Sequence, residues 1–382
     1  MKFHPKMILM VSALGLAFAA NAQAQEVIKI GHVGPISGAI AHLGKDNENG
    51  ARMAIDELNA KGVTIGGKKV KFELLAEDDG ADPKQATAVA QKLVDAKVNG
   101  VIGHLNSGTT IPASKIYNDA GIPQISPSAT NPKYTQQGFK TAFRVVANDG
   151  QLGGSLGRYA VATSKAKKIA VIDDRSAYGQ GVAEEFVKGL NVKTSGSEVV
   201  SRQYTTDKAT DFSAILTTIK AKNPDMVFFG GMDAVAGPML RQMKQLGINA
   251  KFMGGDGLCT EGLAKLAGDA LADNQVVCAE AGGVDESRKG GMEAFRAAYK
   301  KKFGIDVQIY APYVYDAVLT MVDAMEQAGS ADPVKYLPFL AKIKHKGVTG
   351  DIAFDAKGDL LEGMLTLYSY KGGKRSEIAV TR

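Results

Sequence analysis

Residues 101–130 read VIGHLNSGTTIPASKIYNDAGIPQISPSAT and hold two strand-then-turn units in succession. Apolar runs at 101–102 and 122–125 each break into small hydroxyl residues. The first cluster is Ser107, Gly108, Thr109 and Thr110; the second is Ser126, Pro127, Ser128, Ala129 and Thr130. Small residues at the carboxyl end of a strand let a ligand approach the backbone. A helix start there adds unpaired N–H groups and partial positive charge, which suits a small anion. One such turn is ordinary cap chemistry. Two of them on neighbouring strand ends point to a binding cleft.

Around this stretch the chain alternates strand and helix. Residues 27–33 alternate in polarity and end at Gly34-Pro35; a helix is expected over 43–60, with Ala51, Ala54, Ile55 and Leu58 on one face. A strand at 70–76 leads to Asp78, Asp79 and Asp82-Pro83, where Asp82 reads as an N-cap and Pro83 as the first helical residue. After a strand at 143–146 the cycle restarts, with strands near 168–172, 199–204, 226–229, 251–253 and 275–279. Short, almost wholly apolar strands of this kind suit a parallel sheet covered by helices on both faces. Beyond 281 come helices at 291–303, 310–328 and 333–344, then strands at 348–354 and 364–370.

The first 24 residues stand apart. Lys2, His4 and Lys6 precede an apolar run at 7–20 and the small-x-small triplet Ala22-Gln23-Ala24, the pattern of a cleavable secretory signal. The apolar run is too short to span a bilayer comfortably. The chain's 46 Lys and Arg against 40 Asp and Glu give a net charge of +6, which falls to +4 without Lys2 and Lys6. Those charges are scattered, so nucleic acid is not an expected partner. The mature length suggests two domains.

Two cysteines, Cys259 and Cys278, are expected to pair in an oxidising compartment, the alternative being two buried thiols. No Cys/His spacing fits a metal site, and no cofactor loop is present: GHVGPISG at 31–38 is not a dinucleotide fingerprint, and Pro35 occupies the tight turn. Neither a nucleophile elbow nor a triad pattern is visible, so an enzyme is not expected.

Nearly end to end, the chain resembles the periplasmic branched-chain amino-acid-binding proteins, the solute receptors of ABC importers. The motifs that carry this, in order, are GHVGPISG, GARMAIDELNAKG at 50–62, DPKQAT at 82–87, VIGHLNSGTT, ISPSATNP, YGQGVAEEF at 178–186, KFMGGDG at 251–257 and FDAKGD at 354–359. The resemblance implies a type I periplasmic binding fold: two doubly wound parallel-sheet lobes joined by three crossovers. The N-terminal lobe would combine 26–147 with 281–366, and the C-terminal lobe 148–280 with 367–382. Ser107 would receive the ligand carboxylate. Ser128 and Thr130 would serve the amino-acid head group, and Asp256 would pair with the α-ammonium from the other lobe. Asp256 stands where the family commonly has Glu; it also fits as a turn residue in Gly254-Gly255-Asp256-Gly257.

Tyr178 matches a pocket tyrosine, and Tyr313 is expected to line the same cavity. Leu43 falls where an aromatic often sits, and Met232 where a tyrosine often sits, so the pocket stays apolar but changes shape. The family's early disulfide is absent, with Ala81 and Asn106 at its positions. The implied role is capture of a branched-chain or other apolar amino acid by a monomer in the periplasm, for delivery to inner-membrane ABC permease subunits. The rivals are the same fold tuned to an amide, aromatic acid or urea-like solute, and a sensory module that reports occupancy to a receptor.

Overall fold

The computed structural model describes residues 25–381, so the signal-like segment 1–24 lies outside the described residues. Two main sheets carry the chain. In spatial order the first holds Thr64–Ile65, Lys68–Asp78, Glu26–Gly34, Gly100–Gly103, Gln124–Ser126 and Ala142–Arg144. The second holds Lys374–Thr381, Leu365–Lys371, Val276–Glu280, Lys251–Gly254, Met226–Gly230, Lys168–Asp173 and Glu198–Tyr204. Pairing is parallel except at Thr64–Ile65 and at the two last strands, which run antiparallel. Both sheets are doubly wound, and inner strands such as Gly100–Gly103 and Met226–Gly230 are buried along their whole length.

The chain passes between the sheets three times. It leaves the first after Ala142–Arg144 and builds the second up to Val276–Glu280. It then returns in the helix Ala311–Ala328, which packs on the helix Ala41–Lys61 and on Gly100–Gly103. The third passage brings Leu365–Lys371 into the second sheet beside Val276–Glu280.

Local chemistry sets the helix ends. Asp82 accepts the N–H groups of Lys84 and Gln85 at 2.8 and 2.9 Å, opening the helix Pro83–Asp95 with proline in its first turn. Gly62, at φ 65°, closes the helix Ala41–Lys61. Two expectations need correcting. In place of a strand over 348–354, Asp351–Ile352 pairs with His345–Lys346 and Phe354 makes an isolated bridge to Leu360. Gly350, at φ 147°, breaks the run. The tail, expected to hold a lone strand near 364–370, is a hairpin whose second arm, Lys374–Thr381, turns at Gly372-Gly373 with both glycines at positive φ.

Candidate functional site

The two hydroxyl clusters lie side by side, because the strands that feed them are parallel neighbours. At Gly103, φ is 137° and an added Cβ would come within 2.5 Å of the Val33 carbonyl oxygen, so a bare residue is required where the chain turns off the strand. The Ser126 hydroxyl donates to His104 O at 3.0 Å and accepts from Ala129 N at 2.9 Å. Ser128 donates to Leu105 O at 3.0 Å. Ser107, the first residue of the helix Ser107–Asp119, accepts from Asn131 N at 3.2 Å. Thr130 is fully buried, and its Oγ1 has no hydrogen-bond partner. These turns therefore offer hydroxyls and backbone, with the buried Arg144 guanidinium bonded to Ala129 O and Asn131 O behind them.

The opposite face belongs to the second sheet. Asp256 opens the short turn after Lys251–Gly254 and is 1% exposed. Its Oδ1 accepts from the Tyr178 hydroxyl at 2.8 Å, and that hydroxyl also accepts from Gly257 N at 2.9 Å. Tyr178 sits in the first turn of the helix Ala177–Leu190. Burial pushes the Asp256 carboxyl up to about 6, against the pull of hydrogen bonds from Tyr178 and Tyr310. The Cys259–Cys278 disulfide ties this turn to the strand Val276–Glu280.

Tyr310, absent from the residues expected at the site, completes the arrangement. Its hydroxyl donates to Asp256 Oδ2 at 3.0 Å, from the chain that leads into Ala311–Ala328. Asp46 fixes that entry: its buried carboxylate accepts the N–H groups of Gln308, Ile309, Tyr310 and Ala311 at 2.8–3.1 Å. Further bonds join elements of the two sheets. His42 Nε2 lies 2.7 Å from Asp233 Oδ2, and Asn131 Nδ2 donates to Ala177 O at 2.6 Å. Burial draws the His42 pKa down, but the bond to Asp233 and the charges of Asp233 and Asp46 outweigh it and leave it raised.

The other expected residues are spread more widely. Met232 precedes the helix Asp233–Gln245 and packs on the Asp256 turn, where a Cβ on Gly257 would lie 2.7 Å from its sulfur. With Tyr178, Ile40 and Asn106 it lines a cleft of about 600 Å³. Arg175, Asp207 and Lys208 line the same cleft. Leu43 is fully enclosed in the hydrophobic core. Tyr313 donates its hydroxyl to Glu280 Oε1 at 2.7 Å, and a Cβ on Gly282 would come within 2.1 Å of the tyrosine oxygen. It thus braces the second passage between the sheets.

Two doubly wound α/β sheets with a cleft between their strand ends, lined by Asn106 and Gly108 from one and Tyr178 and Met232 from the other, have the architecture of a solute-binding protein. Ser107, Ser128, Thr130 and Asp256 lie behind that lining. A family profile described as periplasmic binding protein matches residues 27–374, and the chain belongs to that family. The leucine-, isoleucine-, valine-, threonine- and alanine-binding protein of Pseudomonas aeruginosa is 36% identical over 96% of both chains. The leucine-specific-binding protein of Salmonella typhimurium is 37% identical, covering 94% of this chain and 95% of its own. Among solved structures, the branched-chain amino acid transporter substrate binding protein LivJ of Streptococcus pneumoniae, in complex with isoleucine, superposes with a TM-score of 0.82. It shows 29% identity and covers 93% of this chain and 99% of that one.

Proposed function

We propose that this chain captures an aliphatic amino acid between its lobes in the periplasm and presents it, as a monomer and without catalysis, to the permease subunits of an ABC importer. What supports this is a buried carboxylate, Asp256, held by Tyr178 and Tyr310 on the second sheet, together with the hydroxyl turns at the strand ends of the first. A zwitterion leaves water at high cost unless both charges meet fixed partners. Ser107 and the helix start behind it suit the carboxylate; Asp256 suits the ammonium. Ser128 and Thr130 flank the head group, while Tyr178 and Met232 shape the pocket wall. The lobes are 26–147 with 281–366 and 148–280 with 367–382, and the leader 1–24 directs export.

The relatives named for leucine, isoleucine and valine support an aliphatic side chain. Micromolar affinity, about −8 kcal/mol, suits such a receptor. A thermal-shift screen of the common amino acids, followed by calorimetry, tests this. Leucine, isoleucine or valine should give the largest shifts. A protein that ignores every amino acid, or whose affinity survives Asp256→Ala, would count for a solute without an ammonium.

A further inference from the structure

His42 lies in the first turn of the helix Ala41–Lys61, on the first-sheet side, and Asp233 opens the helix Asp233–Gln245 on the second. Residues beside them line the cleft: Ile40 from one side, Met232 and Ala234 from the other. His42 Nε2 meets Asp233 Oδ2 across this mouth at 2.7 Å. The Thr260 hydroxyl donates to the same oxygen at 2.6 Å, while Asp233 Oδ1 is buried without a hydrogen-bond partner. Gly262 keeps the approach clear, since a Cβ there would lie 3.2 Å from Asp233 Oδ2 and 3.4 Å from His42 Nε2.

The two partners differ in their access to water. The Asp233 side chain is 0% exposed and that of His42 32%. A carboxylate shut away from water is costly without a positive partner. Among the described residues, His42 is the one basic side chain in ion-pair contact with Asp233. The other charges around the imidazole are acidic or already matched. Asp46, one turn on along the same helix, adds negative charge. Lys45 is drawn to Glu48 at 3.3 Å, and Glu261, next to Gly262, is held by Arg375 at 2.9 Å. Burial alone would lower the His42 pKa, but the bond to Asp233 and the charges of Asp233 and Asp46 overcome it. By contrast, the bond from Asn131 Nδ2 to Ala177 O joins groups that do not titrate.

We infer that His42 and Asp233 form a proton-operated latch on the mouth of the cleft, made as the lobes close on solute and broken as they part. The inference rests on the amino-acid reading above. On closure the imidazole takes a proton from solvent, an N–H bond forms at Nδ1, and Nε2–H donates to Asp233. Opening returns the ring to water, where its pKa falls back towards the ordinary value of about 6.5. The latch therefore contributes fully below that open-form value and is lost as pH rises through the raised closed-form one. Its share of the affinity should be present at pH 6 and gone at pH 8.5.

Calorimetry of L-leucine in paired buffers of different ionisation enthalpy tests this on the mature protein. The comparison is with His42→Gln, which keeps a hydrogen-bond donor but cannot take a proton. Protons exchanged elsewhere in the site cancel in that difference. At pH 7 wild type should take up more protons per leucine than the variant. At pH 6 it should bind roughly two- to fivefold more tightly, an advantage that vanishes by pH 8.5. Asp233→Asn should lose the same pH dependence, and adding His42→Gln to it should change nothing further. Equal proton counts and parallel pH profiles in wild type and His42→Gln would overturn the inference while leaving the amino-acid reading intact. Wild type that binds no leucine would overturn both. Should Asp233→Asn misfold, the comparison with His42→Gln still decides, because the His42 side chain is partly exposed and its loss leaves the core in place.

Discussion

The two walls of the cleft solve opposite problems with different materials. On the first-sheet wall, Ser107, Ser126 and Ser128 are held by hydrogen bonds between neighbouring turns, and the one guanidinium bonded there, Arg144, is tied to backbone carbonyls and Asp359. On the second-sheet wall, Asp256 is a buried charge steadied by two tyrosines and backed by a disulfide. Neutral dipoles can hold a carboxylate because a helix start supplies many weak donors at once. An ammonium needs a full opposing charge, and a charge kept out of water needs rigid support. The first wall gains geometry from parallel strands; the second gains it from cross-links.

The contrast is sharpest in what each wall loses on mutation. Removing the charge with Asp256→Ala should weaken amino-acid binding by about 3–5 kcal/mol, the scale for breaking a buried ion pair. Calorimetry showing less than a tenfold loss would make the two walls energetically alike. Replacing both cysteines by alanine should lower stability by roughly 3 kcal/mol if the chain-entropy account holds. It should also weaken binding, since the Asp256 turn is the segment tied down. Denaturant melts and calorimetry on the same variant would separate the two effects. Ser107→Ala should cost about 1–3 kcal/mol of affinity, a smaller change because backbone donors remain.

The smallest expected change is at Tyr310. Tyr310→Phe removes one hydrogen bond to Asp256 and should cost about 1 kcal/mol of affinity. An unchanged affinity would confine Tyr310 to a packing role. The acidic wall also predicts a pH signature. Asp256 and Asp149 are raised to about 6 and about 8 by burial. The folded, unliganded protein therefore binds these protons more tightly than the unfolded chain, and their contribution to stability grows as pH falls from 8 towards 4. Unliganded wild type should melt at a higher temperature at pH 6 than at pH 8, and Asp149→Asn should flatten that slope.

The alternation of apolar strands and amphipathic helices is legible in the amino-acid sequence, since each parallel strand is a short buried run. So are the two hydroxyl turns and the Asp82 cap, because those residues act through their own backbone neighbours. The order of the motifs brings Asp256 and Tyr178 into view. Tyr310 stays hidden, for a physical reason. Its importance comes from a partner far along the chain, 54 residues away in the Tyr310–Asp256 bond. A relation of that kind leaves no periodic trace. The C-terminal hairpin does leave one, in Gly372-Gly373 between alternating residues, a short-range turn signal.

Arg375 lies on the last strand, Lys374–Thr381, and is almost wholly buried. It donates to Cys259 O at 2.7 Å and to Glu280 Oε2 at 3.3 Å, and its Nε reaches Glu261 at 2.9 Å. The segment that presents Asp256 is thus anchored from the strand Lys374–Thr381. The geometry of the Asp256 turn is therefore set in part from a distance: cutting the bond from Arg375 would loosen a segment 116 residues away without touching any residue of the turn itself.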